Sequence, residues 1–241
     1  MELVSYRKKK RVGVPTSGLF TVVGRPKTGK SSFALSFPDS YMLLLERESE
    51  EELEGRVHGI DSLKDFAEAM KAVCADKKIK TIVIDTIDAL GDMVADSVAA
   101  KFGLKDMSEK KKGVSGFSLW GEYSKRMKNI TKHLVDSGKL IIYLAHFKEE
   151  QRDEDGKIIK PARLQLNGSA ASEFIGFRSK LTGNMYKVQE GGRTVHKLSF
   201  EGGLAGQFGS WIKEVEGKTI TIEDEKSGYK AFAELFNGGK K

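Results

Sequence analysis

The chemistry in this chain begins at Gly24-Arg25-Pro26-Lys27-Thr28-Gly29-Lys30-Ser31, which fits the pattern GxxxxGK[ST]. Each part has a task. The glycines let successive backbone N–H groups turn inward around phosphate oxygens, and a helix starting just after them aims its positive end at the same place. Lys30 is a point charge for the β- and γ-phosphates, and the Ser31 hydroxyl is a ligand for Mg²⁺. Ser32, next in the chain, joins these residues as a candidate nucleotide contact. A second element supports the first. Ile82-Val83-Ile84-Asp85-Thr86 is an apolar, β-branched run ending in a carboxylate. Asp85 is therefore expected to hold Mg²⁺, directly or through water, on the strand beside the phosphate loop. The expected ligand is ATP or another nucleoside triphosphate with Mg²⁺.

Hydrolysis also needs a group that orients the attacking water. Asp85 is followed by Thr86 and not by a glutamate, so that group must lie elsewhere. The candidates end the preceding apolar run, Leu43-Leu44-Leu45-Glu46-Arg47-Glu48. A carboxylate at the C-terminal edge of a neighbouring parallel strand can reach a γ-phosphate water, since ligands sit at that edge in such sheets. Leu140 to Ala145 is a third apolar run and ends in His146, which is placed to touch the γ-phosphate.

These residues need strands and helices to hold them. Apolar runs near 19–23, 41–45, 81–85 and 139–145 read as strands, the last three buried on both faces. Helices are expected from Lys30 to about Phe37, where Pro38 stops the first, and over Leu63–Cys74, where apolar residues recur at i, i+3, i+4, i+7 and i+11. Asp61 or Ser62 can cap that second helix, and Cys74 is a small core-facing residue on its stripe. Further helices are expected up to Phe102 and over Leu119–Val135, separated by a lysine- and glycine-rich loop from Lys105 to Phe117. Alternating strands and helices give an α/β fold with a mainly parallel sheet between helices. After His146 the pattern becomes antiparallel. Hairpins are expected over Lys148–Arg163, turning at Asp155-Gly156, and over Tyr186–Phe200, turning at Gly191-Gly192, with a short helix near Tyr229–Phe236. The expected organisation is a basic segment over 1–16 and a single domain over 17–241. Within it, a core over 17–183 carries a β-rich extension over 184–241.

Composition removes several classes. The 241 residues are enough for a core without staples, and Cys74 alone excludes an intramolecular disulfide framework and a multi-cysteine zinc site. Arg7 to Arg11 has no apolar stretch behind it, so a secretory signal is not expected. The longest purely apolar run falls far short of the roughly 20 residues of a membrane span, and a cytoplasmic, reducing location is expected. The net charge of +7 permits a nucleic-acid partner without requiring one.

The phosphate loop, a strand ending in Glu46-Arg47-Glu48, the Ile84-Asp85-Thr86 strand and the Leu144-Ala145-His146 strand follow in the order of the RecA-like recombinase core. More closely, the chain resembles the short RecA-like ATPases of bacteriophages grouped with single-strand annealing proteins. Phe37-Pro38-Asp39 before the second strand, Trp120-Gly121-Glu122 opening a helix, and Pro161 ahead of a helix and the Lys180-Leu181 strand also carry this resemblance. It implies Glu48 as the catalytic carboxylate, with Glu46 as the alternative, and His146 as the residue that reports nucleotide state. It implies DNA-facing loops after Asp106 and after His146. Lys110-Lys111-Lys112, with Phe117 and Trp120 close behind, would then offer phosphate contacts beside stacking platforms; the alternative is a solvated loop with both rings in the core. Assembly into a ring or filament is implied, with Lys148, Arg152, Arg163, Arg178 or Arg193 completing a neighbour's site. Single-stranded DNA is the expected partner, and the resemblance implies a single-strand-binding protein as a second. The expected function is a DNA-stimulated ATPase that promotes annealing or homologous recombination.

Two other functions use the same loop. A P-loop kinase would need an acceptor pocket and a lid, whereas a nucleotide-switched adaptor would recruit a DNA-binding partner without gripping DNA itself.

Overall fold

The computed structural model describes residues 13–46, 53–148, 151–160, 163–201, 209–224 and 227–237. In chain order the first half comprises β1 (Gly18–Gly24), α1 (Lys30–Leu35), β2 (Ser40–Leu44), β3 (Val57–Gly59), α2 (Leu63–Ala75), β4 (Thr81–Asp85), α3 (Ile87–Lys101), α4 (Gly116–Asp136) and β5 (Leu140–Ala145). The second half comprises β6 (Phe147–Lys148), β7 (Gln151–Arg152), β8 (Ile158–Lys160), β9 (Arg163–Leu164), α5 (Ser169–Arg178), β10 (Ser179–Glu190), β11 (Arg193–Ser199), β12 (Gly209–Ser210), β13 (Thr219–Ile222) and α6 (Gly228–Asn237).

Among the described residues the main sheet has nine strands, in the order β13-β11-β10-β1-β5-β4-β2-β3, with β12 paired to β10. The pairs from β3 through β10 are parallel, and β10–β11 and β11–β13 are antiparallel. This is the expected mainly parallel sheet with an antiparallel extension. One neighbour relation differs. Asp85 was expected on the strand beside the phosphate loop, but β5 lies between β1 and β4. Both edges of β1 are occupied, by β5 and β10, so β4 has no place next to it.

The central strands are continuously apolar because both faces are covered. Along them side chains alternate between two clusters, as the twofold period of a strand requires. Leu43, Ile82, Ile84, Ile141 and Tyr143 join α2 to α5 in one cluster. Met42, Leu44, Val83, Ile142 and Leu144 join α1 and α6 in the other. In the second cluster Phe20 stacks on Phe232 at 5.4 Å, and Phe33, Phe37 and Phe200 surround them. The Tyr229 N–H donates to Ser36 Oγ at 2.8 Å, which ties the last helix to the end of the first.

Local sequence accounts for most element ends. Ser62 caps α2 by accepting from the Asp65 N–H at 3.1 Å. Cys74 packs half-buried against the helical cluster, and burial raises its thiol above the usual range. α1 stops at Leu35, before the expected Phe37. The residue ahead of Pro38 is disfavoured in helical geometry, and Ser36 Oγ donates to the Phe33 carbonyl, closing the last turn. α4 starts at Gly116, earlier than Leu119, because Ser115 Oγ accepts from the Ser118 N–H. Both hairpins turn where expected. β7 pairs with β8 around Gly156, and β10 with β11 around Gly191 and Gly192, whose positive φ values of 58° and 76° suit a tight two-residue turn. β10 begins earlier than the expected hairpin. Its first half pairs parallel with β1 and its second half antiparallel with β11, so the hairpin is continuous with the parallel sheet.

Candidate functional site

β1 ends at Gly24, and the chain turns through the phosphate loop into α1. Lys27 at φ 62° and Gly29 at φ 88° are both left-handed, which curls the loop so that its N–H groups can face inward. Gly24 is required here by contact, since a Cβ would meet the Met185 carbonyl of β10. Thr28 Oγ1 donates to the Arg25 carbonyl at 2.9 Å. Lys30 is only 6% exposed; its ammonium donates to the Gly24 and Arg25 carbonyls at 3.1 and 3.0 Å. Burial lowers its pKa, opposed by Asp85, Asp88 and Glu46.

On the β5 side of the loop stand the acidic groups. Ser31 Oγ donates to Asp85 Oδ2 at 2.6 Å, so the start of α1 meets the end of β4 although β5 separates β4 from β1. Burial pushes the Asp85 carboxyl up to about 6, against the lowering effects of Ser31 and Lys30. A hydroxyl and a carboxylate this close are the hard oxygen donors that Mg²⁺ takes, with water filling its remaining positions. The residues present therefore fit the ion. The Asp85–Thr86 peptide is cis.

Glu46 sits at the end of β2, where the Asp85 carbonyl accepts from the Leu45 N–H at 2.6 Å and positions the turn. Glu46 Oε1 accepts from the Thr86 hydroxyl at 2.8 Å and lies 3.8 Å from His146 Nδ1. His146 follows β5, and Asp88 on the first turn of α3 holds it twice. One Asp88 oxygen accepts from the His146 N–H at 3.1 Å and the other bonds ring Nδ1 at 2.6 Å. Glu46, Asp88 and His146 offer ligand atoms within 4.8 Å of one another. The Asp88–His146 hydrogen bonds and the Thr86 hydroxyl that holds Glu46 already account for that closeness.

Asp88 was not foreseen from the sequence. An acid in the first turn of a helix is ordinarily explained by the helix dipole alone. Here it raises the His146 pKa, mainly through the hydrogen bond. A raised folded-state value means that this stabilisation is fully present below the ordinary histidine range and is lost as pH rises through the folded value. Asp88→Asn keeps an oxygen for the His146 N–H and removes the charge. It is expected to lower stability by about 1–2 kcal/mol near pH 6, with the gap to wild type closing towards pH 9, read by urea unfolding.

The structure thus brings together Lys30, Ser31, Asp85 and His146 with Glu46 and Asp88. Arg25, Pro26, Lys27, Thr28, Gly29 and Ser32 follow the loop as expected, and all but Arg25 line the cleft beside it. Glu48 lies outside the described residues. Arg178 and Arg193 are exposed, at the end of α5 and the tip of the hairpin, while the side chains of Lys148, Arg152 and Arg163 fall outside those described. The cleft holds about 490 Å³ and has a second wall that the sequence did not signal, Lys187 of β10 and His196 of β11.

Further round the molecule, Phe117 is 91% and Trp120 37% exposed, so neither ring is a core residue. They flank a groove of about 790 Å³ that also takes in Lys125, Lys128, Asn129 and Ser169. Lys110 and Lys112 are exposed, and Lys111 donates to the Phe102 and Gly103 carbonyls at the end of α3. Among the described residues, no helix is long and apolar enough to cross a membrane.

Over 104 residues the chain is 29% identical to the SPbeta prophage-derived uncharacterized protein YorG of Bacillus subtilis (strain 168). That match covers 41% of this chain and 30% of YorG, so the chain spans less than a third of that relative. A family model described as an AAA domain matches residues 19–197, from the strand ahead of the phosphate loop to the hairpin that walls the cleft, and the chain belongs to this family of P-loop ATPases.

Proposed function

We propose that this chain is a phage-type RecA-like ATPase that binds single-stranded DNA and promotes annealing or strand exchange. The observation that carries the DNA reading is the groove in which Phe117 and Trp120 stand exposed beside Lys125 and Lys128. Aromatic faces stack on bases of any sequence, and lysines track the phosphates between them. The prophage origin of YorG supports the phage assignment. α3, which carries Asp88, packs on α4, which carries both exposed rings. That contact gives DNA a physical route to the His146 end of the nucleotide site.

In the hydrolytic step Lys30 and the loop N–H groups hold the β- and γ-phosphates. Ser31 and Asp85 would hold Mg²⁺, whose charge offsets that on the phosphate oxygens. Glu46, which lines the cleft with Asp85 and His146, takes the water-orienting role here in preference to Glu48, the carboxylate that the resemblance implies. It accepts a proton from the attacking water, with the Thr86 hydroxyl fixing the carboxylate. His146, steadied by Asp88, meets the γ-phosphate and loses that contact once the phosphate leaves. Assembly into a ring or filament, with Arg178, Arg193 or another basic residue completing the neighbour's site, belongs to the same reading.

The test is phosphate release from ATP with and without single-stranded DNA, with Lys30→Ala as the blank. DNA is expected to stimulate release, and binding is expected to weaken steeply as salt rises. Phe117→Ala and Trp120→Ala are each expected to cost about 1–3 kcal/mol of DNA affinity while leaving DNA-free hydrolysis unchanged. The reading fails if the protein binds no single-stranded DNA at low salt with ATP and Mg²⁺. Hydrolysis indifferent to DNA would favour the nucleotide-switched adaptor.

A further inference from the structure

The acidic and catalytic-type groups of the cleft all lie to one side of β1. Asp85, Glu46 and His146 end β4, β2 and β5, the strands on its β5 side. On the other side β10 pairs with β1 as far as Gly24↔Met185 and then continues beyond the sheet edge as a hairpin with β11. Lys187 and His196 are direct partners across that hairpin, so both side chains leave the same face. That face looks into the cleft, where both residues form part of the wall.

The hairpin also grips the phosphate loop. His196 Nδ1 lies 2.6 Å from the Thr28 carbonyl, which can only accept, so Nδ1 is the donor. The ring lies so close to Gly29 that a Cβ there would come within 2.7 Å of Nδ1, and the Met185 methyl would be 3.4 Å away. A triphosphate bound by the loop has its γ end at Ser31, Asp85, Glu46 and His146. With that end so placed, the cleft wall on the opposite side of β1, formed by Lys187 and His196, is open to the α-phosphate and nucleoside.

We infer that the β10–β11 hairpin is the clasp for the nucleoside end of the nucleotide. Lys187 supplies positive charge to the α-phosphate side, and His196 is a positioning residue that holds the Thr28–Gly29 part of the loop. The ligand class is nucleoside di- and triphosphates alike, because the groups concerned sit away from the γ end. The inference needs only the P-loop nucleotide site of the family and is independent of DNA.

The experiment compares the affinity of the whole protein for fluorescent ADP and for a non-hydrolysable ATP analogue, together with kcat and KM for ATP. Lys187 is exposed, so Lys187→Ala leaves the core intact. That variant is expected to weaken both ligands equally, by about tenfold, and to raise KM by the same factor with kcat within about twofold. Lys187→Arg restores most of the affinity. His196→Ala weakens both ligands, and His196→Asn, which keeps an N–H near the place of Nδ1, recovers part of the loss; simple loosening of the fold would give no such recovery. The inference is overturned if Lys187→Ala weakens the ATP analogue but not ADP, or lowers kcat with KM unchanged. Each outcome puts Lys187 at the γ end. No change in either affinity overturns it as well.

Discussion

Lys30→Ala is expected to lower ATP turnover by about two orders of magnitude or more. The ammonium is buried and lies between two loop carbonyls and three carboxylates, so its charge acts where water screens it little. Alanine leaves the N–H cradle and removes the buried ammonium that stabilises negative charge as it shifts toward the leaving oxygen. Lys30→Arg is not expected to rescue. A planar guanidinium does not fit the geometry in which a single ammonium bridges the Gly24 and Arg25 carbonyls. Phosphate release checks this result, with circular dichroism to verify folding. Retention of more than about a tenth of the activity would contradict the role assigned to Lys30.

Glu46→Gln is expected to lower kcat by about 10²- to 10⁴-fold while ATP binding stays close to wild type. Glutamine is nearly the same size and can still accept from the Thr86 hydroxyl, so the strand end keeps its shape. What it lacks is the capacity to take a proton from water. A binding measurement alongside single-turnover hydrolysis separates the two effects. Glu48→Gln is the paired control. If it loses turnover and Glu46→Gln does not, the water-orienting carboxylate is the last residue of Glu46-Arg47-Glu48, as the resemblance implies.

The two substitutions probe parts of the site that differ in how far sequence alone reveals them. The phosphate loop was fully legible. Its chemistry depends on contiguous residues, and a glycine–lysine–serine spacing between an apolar strand and a helix admits few other uses. The central strands were equally plain, because burial on both faces removes the polar alternation that a one-sided strand must show. Even the hairpin turns at Gly156 and Gly191-Gly192 were visible, since a positive φ is a local demand on residue type.

Relations between segments distant in sequence were not legible. Asp88 reads as an ordinary acid at a helix start until β5 carries His146 to it across 58 residues. The order of strands that places β5 between β1 and β4 depends on which edges are free once the others have paired. Likewise Lys187 and His196 follow a plain strand alternation. Only the parallel pairing of β10 with β1 turns their shared face toward Thr28 and Gly29. Local spacing carries the signature of phosphate chemistry, the buried strands and the turns, because each is a property of neighbouring residues. Tertiary structure alone decided which side chains surround that chemistry, because those contacts depend on the three-dimensional path of the chain and leave no pattern in local spacing.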